Sequence, residues 1–249
     1  MSVRIRPLRL EGFEQLPKHA RRCVFWEVDP DTLNGADHLS DPEFEKEAWL
    51  SMVMLEWGSC GQVAVAVPDD ADSGGAGPAD EDTCVGYVLY APPGAVPRAQ
   101  RFPTGPVSPD AVLLTSMGTE PDQSEGLASL LIGQVVNELV RRGVRALEAF
   151  GRTAEAAELL DGETVEELRP AVAAFGDCSF EFCMIDAGFL QDVGFTVVAP
   201  HRYFPRLRLE LDKGLGWKAE VEAALERLLV SAQMQQPVGS GAVKVSAEG

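Results

Sequence analysis

The stretch Met117-Gly118-Thr119-Glu120-Pro121-Asp122-Gln123-Ser124-Glu125-Gly126-Leu127-Ala128-Ser129-Leu130-Leu131 decides how the chain is read. It continues Ala111-Val112-Leu113-Leu114-Thr115-Ser116, a run apolar enough to be a central strand of a sheet. Beyond it, Leu127, Leu130, Leu131, Val135, Leu139 and Val140 recur at helical spacing, which predicts a helix over residues 124–142 with these side chains buried. Asp122-Gln123-Ser124-Glu125 resembles a capping box at its start, and Gly143 stops it. Residues 144–150 read as a further strand, so strand, helix and strand form a βαβ unit whose two strands are expected to run parallel. A helix opening at the end of a central strand presents unpaired N–H groups and a partial positive charge, a setting that suits phosphate. Gly126 and Ala128 keep bulk away from those amides. The window is neither a P-loop, which needs a Lys-Ser/Thr pair, nor a dinucleotide fingerprint, which needs a third glycine and a later acid. A purely structural reading stands beside this one: a well-capped helix with small residues packed on a sheet.

On the N-terminal side, residues 3–10 read as a strand and 11–24 as helical. A second helix is expected over residues 41–57, entered through Ser40-Asp41-Pro42-Glu43, with Phe44, Ala48, Met52 and Leu55 as its recurring apolar positions. Residues 62–67 and 84–90 read as strands, joined by an acidic, Gly-rich hairpin loop over 69–83. Residues 92–109 read as an irregular connection. On the C-terminal side an acidic insertion spans 152–183, with helical fragments expected at 154–160 and 165–175. A helix over 186–193, stopped at Gly194, and a hairpin of 195–199 with 203–211 complete a first domain of residues 1–212. Residues 213–249 are expected to add an amphipathic helix, 217–233, and a tail.

The chain has 249 residues, with 21 Lys+Arg against 39 Asp+Glu and a net charge of −18. At 45% hydrophobic and 24% charged, the composition is that of a folded protein. A surface this acidic repels phosphate backbones and anionic lipid, which argues against general nucleic-acid or membrane binding and favours cationic acceptors at long range. No apolar run is long enough to span a membrane, and Met1-Ser2-Val3-Arg4-Ile5-Arg6-Pro7 lacks the apolar centre of a signal peptide. Cys23, Cys60, Cys84, Cys178 and Cys183 are odd in number and form no Cys-x-x-Cys pair, so reduced thiols in a cytoplasmic protein, with no metal site, are expected.

Gln123-x-x-Gly126-x-Ala128 resembles the Q/R-x-x-G-x-G/A acetyl-coenzyme A signature of the GNAT N-acetyltransferase superfamily. The preceding apolar strand, the following helix, the turn at Arg142-Gly143-Val144 and the later Gly194-Phe195 fit the same pattern. The resemblance implies an α/β fold: a mixed, largely antiparallel sheet with one splayed parallel strand pair and helices on both faces. It also implies acetyl-coenzyme A as cofactor and acetyl transfer to a primary amine of a small molecule or peptide. Main chain at Met117, Gly118 and Thr119 would meet the pantetheine arm. Gln123, Ser124, Glu125, Gly126, Leu127, Ala128 and Ser129 would hold the pyrophosphate. Three departures accompany it: Leu190 stands where relatives often carry a general-acid tyrosine, Gly151-Arg152 where an asparagine is common, and Glu120-Pro121 shifts a proline by one place. A non-catalytic coenzyme A-binding or partner-binding regulator is therefore the alternative, followed by an unrelated α/β binding protein.

Cys183 and Tyr203 are substitutes to weigh for the missing acid. Glu27, beside Phe25 and Trp26 in the region that borders the acceptor in such proteins, is the candidate catalytic base, its pKa raised by burial; the bland reading leaves it solvated at a helix end. Glu148 reads as an outer-face carboxylate or a cleft residue, Thr115 and Ser116 as substrate contacts or plain strand residues. Arg141, Arg142 and Arg145 suit either a nucleotide or a helix C-terminus. Whether residues 217–233 dock on their own domain or build a homodimer stays open.

Overall fold

The computed structural model describes residues 2–29, 41–67, 83–120, 126–160 and 179–211. All lie in the first of two units, Met1–Asp212, the second being Lys213–Gly249. The capping box and the expected helices over 165–175 and 217–233 fall outside the described residues, as does nearly all of the 69–83 loop.

Eight strands form one sheet: β1 (Ser2–Pro7), β2 (Gly61–Val67), β3 (Thr83–Ala91), β4 (Ala111–Thr119), β5 (Ala146–Arg152), β6 (Ile185–Asp186), β7 (Thr196–Ala199) and β8 (Arg206–Glu210). Their order is β1-β2-β3-β4-β5-β8-β7, with β6 paired to β5. Pairings are antiparallel except β4–β5 and β5–β6. The described helices are α1 (Lys18–Arg22), α2 (Pro42–Glu56), α3 (Pro97–Arg101), α4 (Leu127–Arg141), α5 (Phe180–Cys183) and α6 (Ala187–Asp192). The expected mixed, largely antiparallel sheet is thus observed, and so is the parallel pair. The expected helix over 11–24 is instead a 3-10 helix, Leu10–Gln15, and the short α1, because Pro17 between them cannot donate to a continuous helix.

Alternation along the strands feeds two cores. On one face Val63, Val65, Leu89, Leu113 and Phe150 pack under α1, α2 and the 93–107 connection, whose Val96, Ala99 and Phe102 are buried. On the other, Val88, Tyr90, Val112 and Leu147 meet Leu127, Leu131, Val135 and Leu139 of α4 and Leu190 of α6. Leu130, expected in that stripe, is exposed.

The orientation of α2 departs from expectation. Asp41 caps it as predicted, its Oδ1 accepting from Phe44 N–H at 3.1 Å. The buried face, however, is Lys46, Trp49, Leu50 and Val53, while Phe44, Ala48, Met52 and Leu55 point outward. The helix is apolar on both sides, so periodicity alone picks no inner face. Lys46 settles it: its ammonium is buried in an ion pair with Glu27 and lies 5.2 Å from the centre of the Trp49 ring.

Removing one member of a buried ion pair strands the other, at a cost of roughly 3–5 kcal/mol. Lys46→Met is therefore expected to lower the urea denaturation midpoint sharply. The double variant Glu27→Gln/Lys46→Met should regain most of the loss, which equilibrium unfolding of the three proteins would measure.

Candidate functional site

Strands β4 and β5 pair only over Ala111–Leu113 against Ala146–Glu148. Both continue further, β4 to Thr119 and β5 to Arg152, so the parallel pair parts and leaves an edge of each strand open. On its other side β4 stays zipped to β3 as far as Gly86 opposite Thr119, and Glu120 N–H donates to Val85 O at 2.9 Å. Alternation then turns the main-chain groups of Gly118 toward β3, and those of Met117 and Thr119 toward the vacated edge. The β3–β4 register shifts between Leu89 and Tyr90, which face Ser116 and Leu114, so Thr115 is the extra residue of a bulge. Its hydroxyl is buried without a hydrogen-bond partner, an uncommon condition, at the point where the strands separate. Because β8 holds the opposite edge of β5, the short β6 lies on the β4 side and closes the far end of the gap at Gly151 and Arg152.

Beyond this gap α4 opens at Leu127, later than expected, with Gly126 as its N-cap at φ 103° and no side-chain cap. The first helical bond is Leu130 N–H to Gly126 O at 2.9 Å, which leaves the N–H groups of Leu127, Ala128 and Ser129 without helical partners. A Cβ at Gly126 would meet nothing within 4 Å, so the space before these amides is open, but its left-handed backbone strains any other residue. Gln123, Ser124 and Glu125 lie outside the described residues. A central strand that parts from its parallel neighbour, followed by a glycine-led helix, is the arrangement that the signature implied. The chain has a GNAT-like fold.

No protein-family model matches the chain, and no curated protein does. Solved structures with a similar fold include the PaiA N-acetyltransferase of Thermoplasma acidophilum in complex with coenzyme A, 12% identical, covering 84% of this chain and 99% of that one, TM-score 0.45. Another is yncA of Salmonella typhimurium, a putative acetyltransferase with acetyl-CoA, at 14% identity, 85% and 95% coverage and TM-score 0.41. A third is the ribosomal-protein-S18-alanine N-acetyltransferase of Escherichia coli, at 13% identity, 84% and 94% coverage and TM-score 0.39. At these identities and TM-scores the likenesses carry no argument of their own, and the GNAT-like reading of the fold stands on this chain's strand order and splayed pair.

The face of the sheet under α1 and α2 carries the other candidates. Trp26 stacks on Phe150 of β5 at 5.0 Å, and Phe102 packs edge-on to both. Glu27 follows, buried rather than solvated. Its Oε1 is held by Lys46, and its Oε2 accepts from Trp26 N–H at 3.1 Å. Glu148 points to this same face and is fully buried, not an outer-face carboxylate: Arg206 Nη1 lies 2.5 Å and Arg208 Nη1 3.1 Å from its oxygens, and Ser108 N–H donates at 3.1 Å. Arg208 also grips Asp110, whose carboxyl it holds below the usual range.

Of the residues weighed as general acid, Leu190 is fully buried in the α4-side core, and Tyr203 is buried with its hydroxyl 3.4 Å from Glu158 Oε2. Cys183 is disulfide-bonded, which corrects the expectation of reduced thiols throughout, while Cys23, Cys60 and Cys84 are free. Its sulfur, Cys23 Sγ and a His19 ring nitrogen lie within 4.8 Å of one another, but a disulfide sulfur is no thiolate ligand. Cys60 remains a thiol, pushed up to about 12 by burial. Arg142 is spent on structure: it lies over the Trp57 ring and donates to Trp57 O and Ser59 O, tying the end of α4 to the end of α2.

Tyr87 escaped the sequence reading. It faces Gly118 across the β3–β4 ladder, and Ser116 Oγ is 3.3 Å from its hydroxyl. A Cβ on Gly118 would come within 2.8 Å of its ring, so the glycine lets the phenol lie across β4 beside the open edge. The cross-strand pairing was the available signal, and it needed the register. Burial pushes the phenol's pKa up. Gly118→Ala is expected to cost roughly 1–3 kcal/mol through this overlap. The further change Tyr87→Leu should relieve part of it, as read by denaturation midpoints.

Proposed function

We propose that the chain is an acetyl-coenzyme A-dependent N-acetyltransferase acting on a primary amine. The observation that carries this reading is the gap between β4 and β5, with an orphaned Thr115 hydroxyl near its apex and, after β4, the first-turn amides of α4, which have no helical partners. These residues fit the cofactor: an open strand edge for an amide-bearing arm, and helix N–H groups for a pyrophosphate. Bound acetyl-coenzyme A supplies an activated acyl group as a thioester. Main chain of Met117 and Thr119 would pair with the arm, Gly118 keeping that strand free of side-chain bulk, and one N–H there would polarise the carbonyl. Gln123, Ser124 and Glu125 would join Gly126, Leu127, Ala128 and Ser129 around the phosphates.

In this reading Glu27 accepts the acceptor's proton, exchanging the Lys46 ammonium for the ammonium of the incoming amine. Tyr87, whose hydroxyl is 3.3 Å from Ser116 Oγ of β4, takes the place of the absent tyrosine at Leu190 as candidate proton donor. A second reading, a coenzyme A-binding protein without turnover, is favoured by one observation: both carboxylate oxygens of Glu27 already have partners.

Saturation with coenzyme A at ~100 times Kd should stabilise the chain by ~2.7 kcal/mol, seen as a raised Tm. Gly126→Ala and Gly126→Glu carry the same backbone strain, so their comparison isolates the ligand. Calorimetry should find affinity largely kept in the first and lost in the second. Equal affinities would move the cofactor elsewhere.

Release of free coenzyme A with a panel of amines separates the two readings. Given turnover, Glu27→Gln is expected to lower kcat ~10²-fold with coenzyme A affinity unchanged. Unchanged kcat with a lowered Tm would assign Glu27 to the fold alone.

A further inference from the structure

The outward face of α2 has no place in the acetyl-transfer reading. Its buried side, Lys46, Trp49, Leu50 and Val53, follows an i, i+3, i+4, i+7 spacing and accounts for the packing of the helix. At 100° per residue, Phe44, Ala48, Met52 and Leu55 form a second stripe on the opposite side. They lie wholly in solvent: Phe44 is 64% exposed, Met52 45% and Leu55 88%. A single exposed leucine means nothing, but four apolar residues aligned over three turns make a patch of the kind that marks a contact surface.

The rim of the stripe is acidic on both sides. Glu45 and Glu56 flank it along one border and Glu47 along the other; all three are exposed, with no ion pair among the described residues. An ordinary solvent-facing helix would mix both signs of charge to gain i, i+4 pairs. Here the only lysine of the helix is turned into the core, so its outer surface carries acids and apolar residues with no positive charge among them. A second copy of the same surface would set acid against acid, on chains that each carry −18. The complementary partner is the inverse: an apolar stripe bordered by Lys or Arg.

We propose that the outward face of α2 is a docking surface for a basic amphipathic helix of a partner protein. Phe44, Met52 and Leu55 supply the apolar anchors, and Glu45, Glu47 and Glu56 select for positive flanks. The stripe is long enough for about three turns of a partner helix laid along it. This inference is independent of the acetyltransferase reading.

The test uses the full chain and a synthetic 18-residue helix of Leu and Lys, fluorescently labelled, with its Leu on one face. A peptide of identical composition, scrambled to remove that face, is the control. Saturable one-to-one binding of the amphipathic peptide is expected, with the scrambled peptide at least ~10-fold weaker. Phe44→Ser/Leu55→Ser should weaken binding ~10-fold or more at unchanged net charge, and Glu45→Lys/Glu47→Lys/Glu56→Lys should weaken binding and lessen its salt dependence. Equal binding of both peptides, or binding unaffected by the serine variant, would reduce the effect to general attraction by an acidic protein and overturn the proposal. Two results without peptide would overturn it as well. If sedimentation shows a dimer that Phe44→Ser/Leu55→Ser dissociates, the occupant is a second copy. If that variant instead lowers the Tm of the chain by several degrees, one of its own segments covers the face.

Discussion

Two opposite charges held together in an apolar layer set the geometry of one whole face of this protein. Glu27 and Lys46 are buried among Trp26, Trp49 and Leu50, where neither could keep its charge alone. Their pairing fixes the rotation of α2 about its axis, because Lys46 must point inward. Trp49, Leu50 and Val53 follow it into the core, and Phe44, Met52 and Leu55 are forced out. It fixes the chain before α2 as well: Glu27 also accepts from Trp26 N–H, and Trp26 lies flat on Phe150 of β5. One ion pair thus joins a helix orientation to the wall beside the parted strands. A hydrophobic pair of similar volume could be as stable, but an α2 apolar on both sides would then have two equivalent ways to pack.

The parts of the fold that were legible are those with a single period. Ala111–Thr119 opens with an unbroken apolar run, Ala111–Leu114, and became the central β4, and the stripe of α4 was right apart from Leu130. The parallel β4–β5 pair followed from strand, helix and strand in close succession. Where two periods compete, or where a charge goes inward, the pattern misleads. Counting Lys46 as polar placed the wrong face of α2 in the core. Glu148 looked solvated for the same reason, since Arg206 and Arg208 stand 58 and 60 residues away and only the β5–β8 pairing brings them to it. The two-residue β6 and the bonded state of Cys183 have no local signature.

The site divides along the same line. The geometry of its backbone half was anticipated, the glycine before the helix from the local sequence and the parted strand pair from the family resemblance. Its side-chain half was not. The position expected to hold a tyrosine is a core leucine, Leu190, while a tyrosine that lies across β4, Tyr87, comes from β3 and is admitted only because Gly118 has no Cβ. Which phenol faces the gap depends on a register that a bulge at Thr115 resets. A single inserted residue changes that answer without leaving any mark in composition or periodicity.

The distribution of charge has a consequence for what the acidity of the chain can do. Both carboxylates that point into the α1–α2 face are neutralised where they stand, Glu27 by Lys46 and Glu148 by two arginines. Neither of these two carboxylates therefore leaves an unbalanced negative charge in the wall of the proposed acceptor site, whatever the net charge of −18 does elsewhere. Surface charge of one sign raises the local concentration of cations and speeds their encounter, within a range set by salt. In the proposed reading, selection among acceptors must then come from shape and from the aromatic wall of Trp26, Phe102 and Phe150, which are indifferent to distant acids. Attraction and recognition would thus be separate. The first would act on any cation, and the second would be left to contacts that an incoming acceptor makes only after it has shed its water.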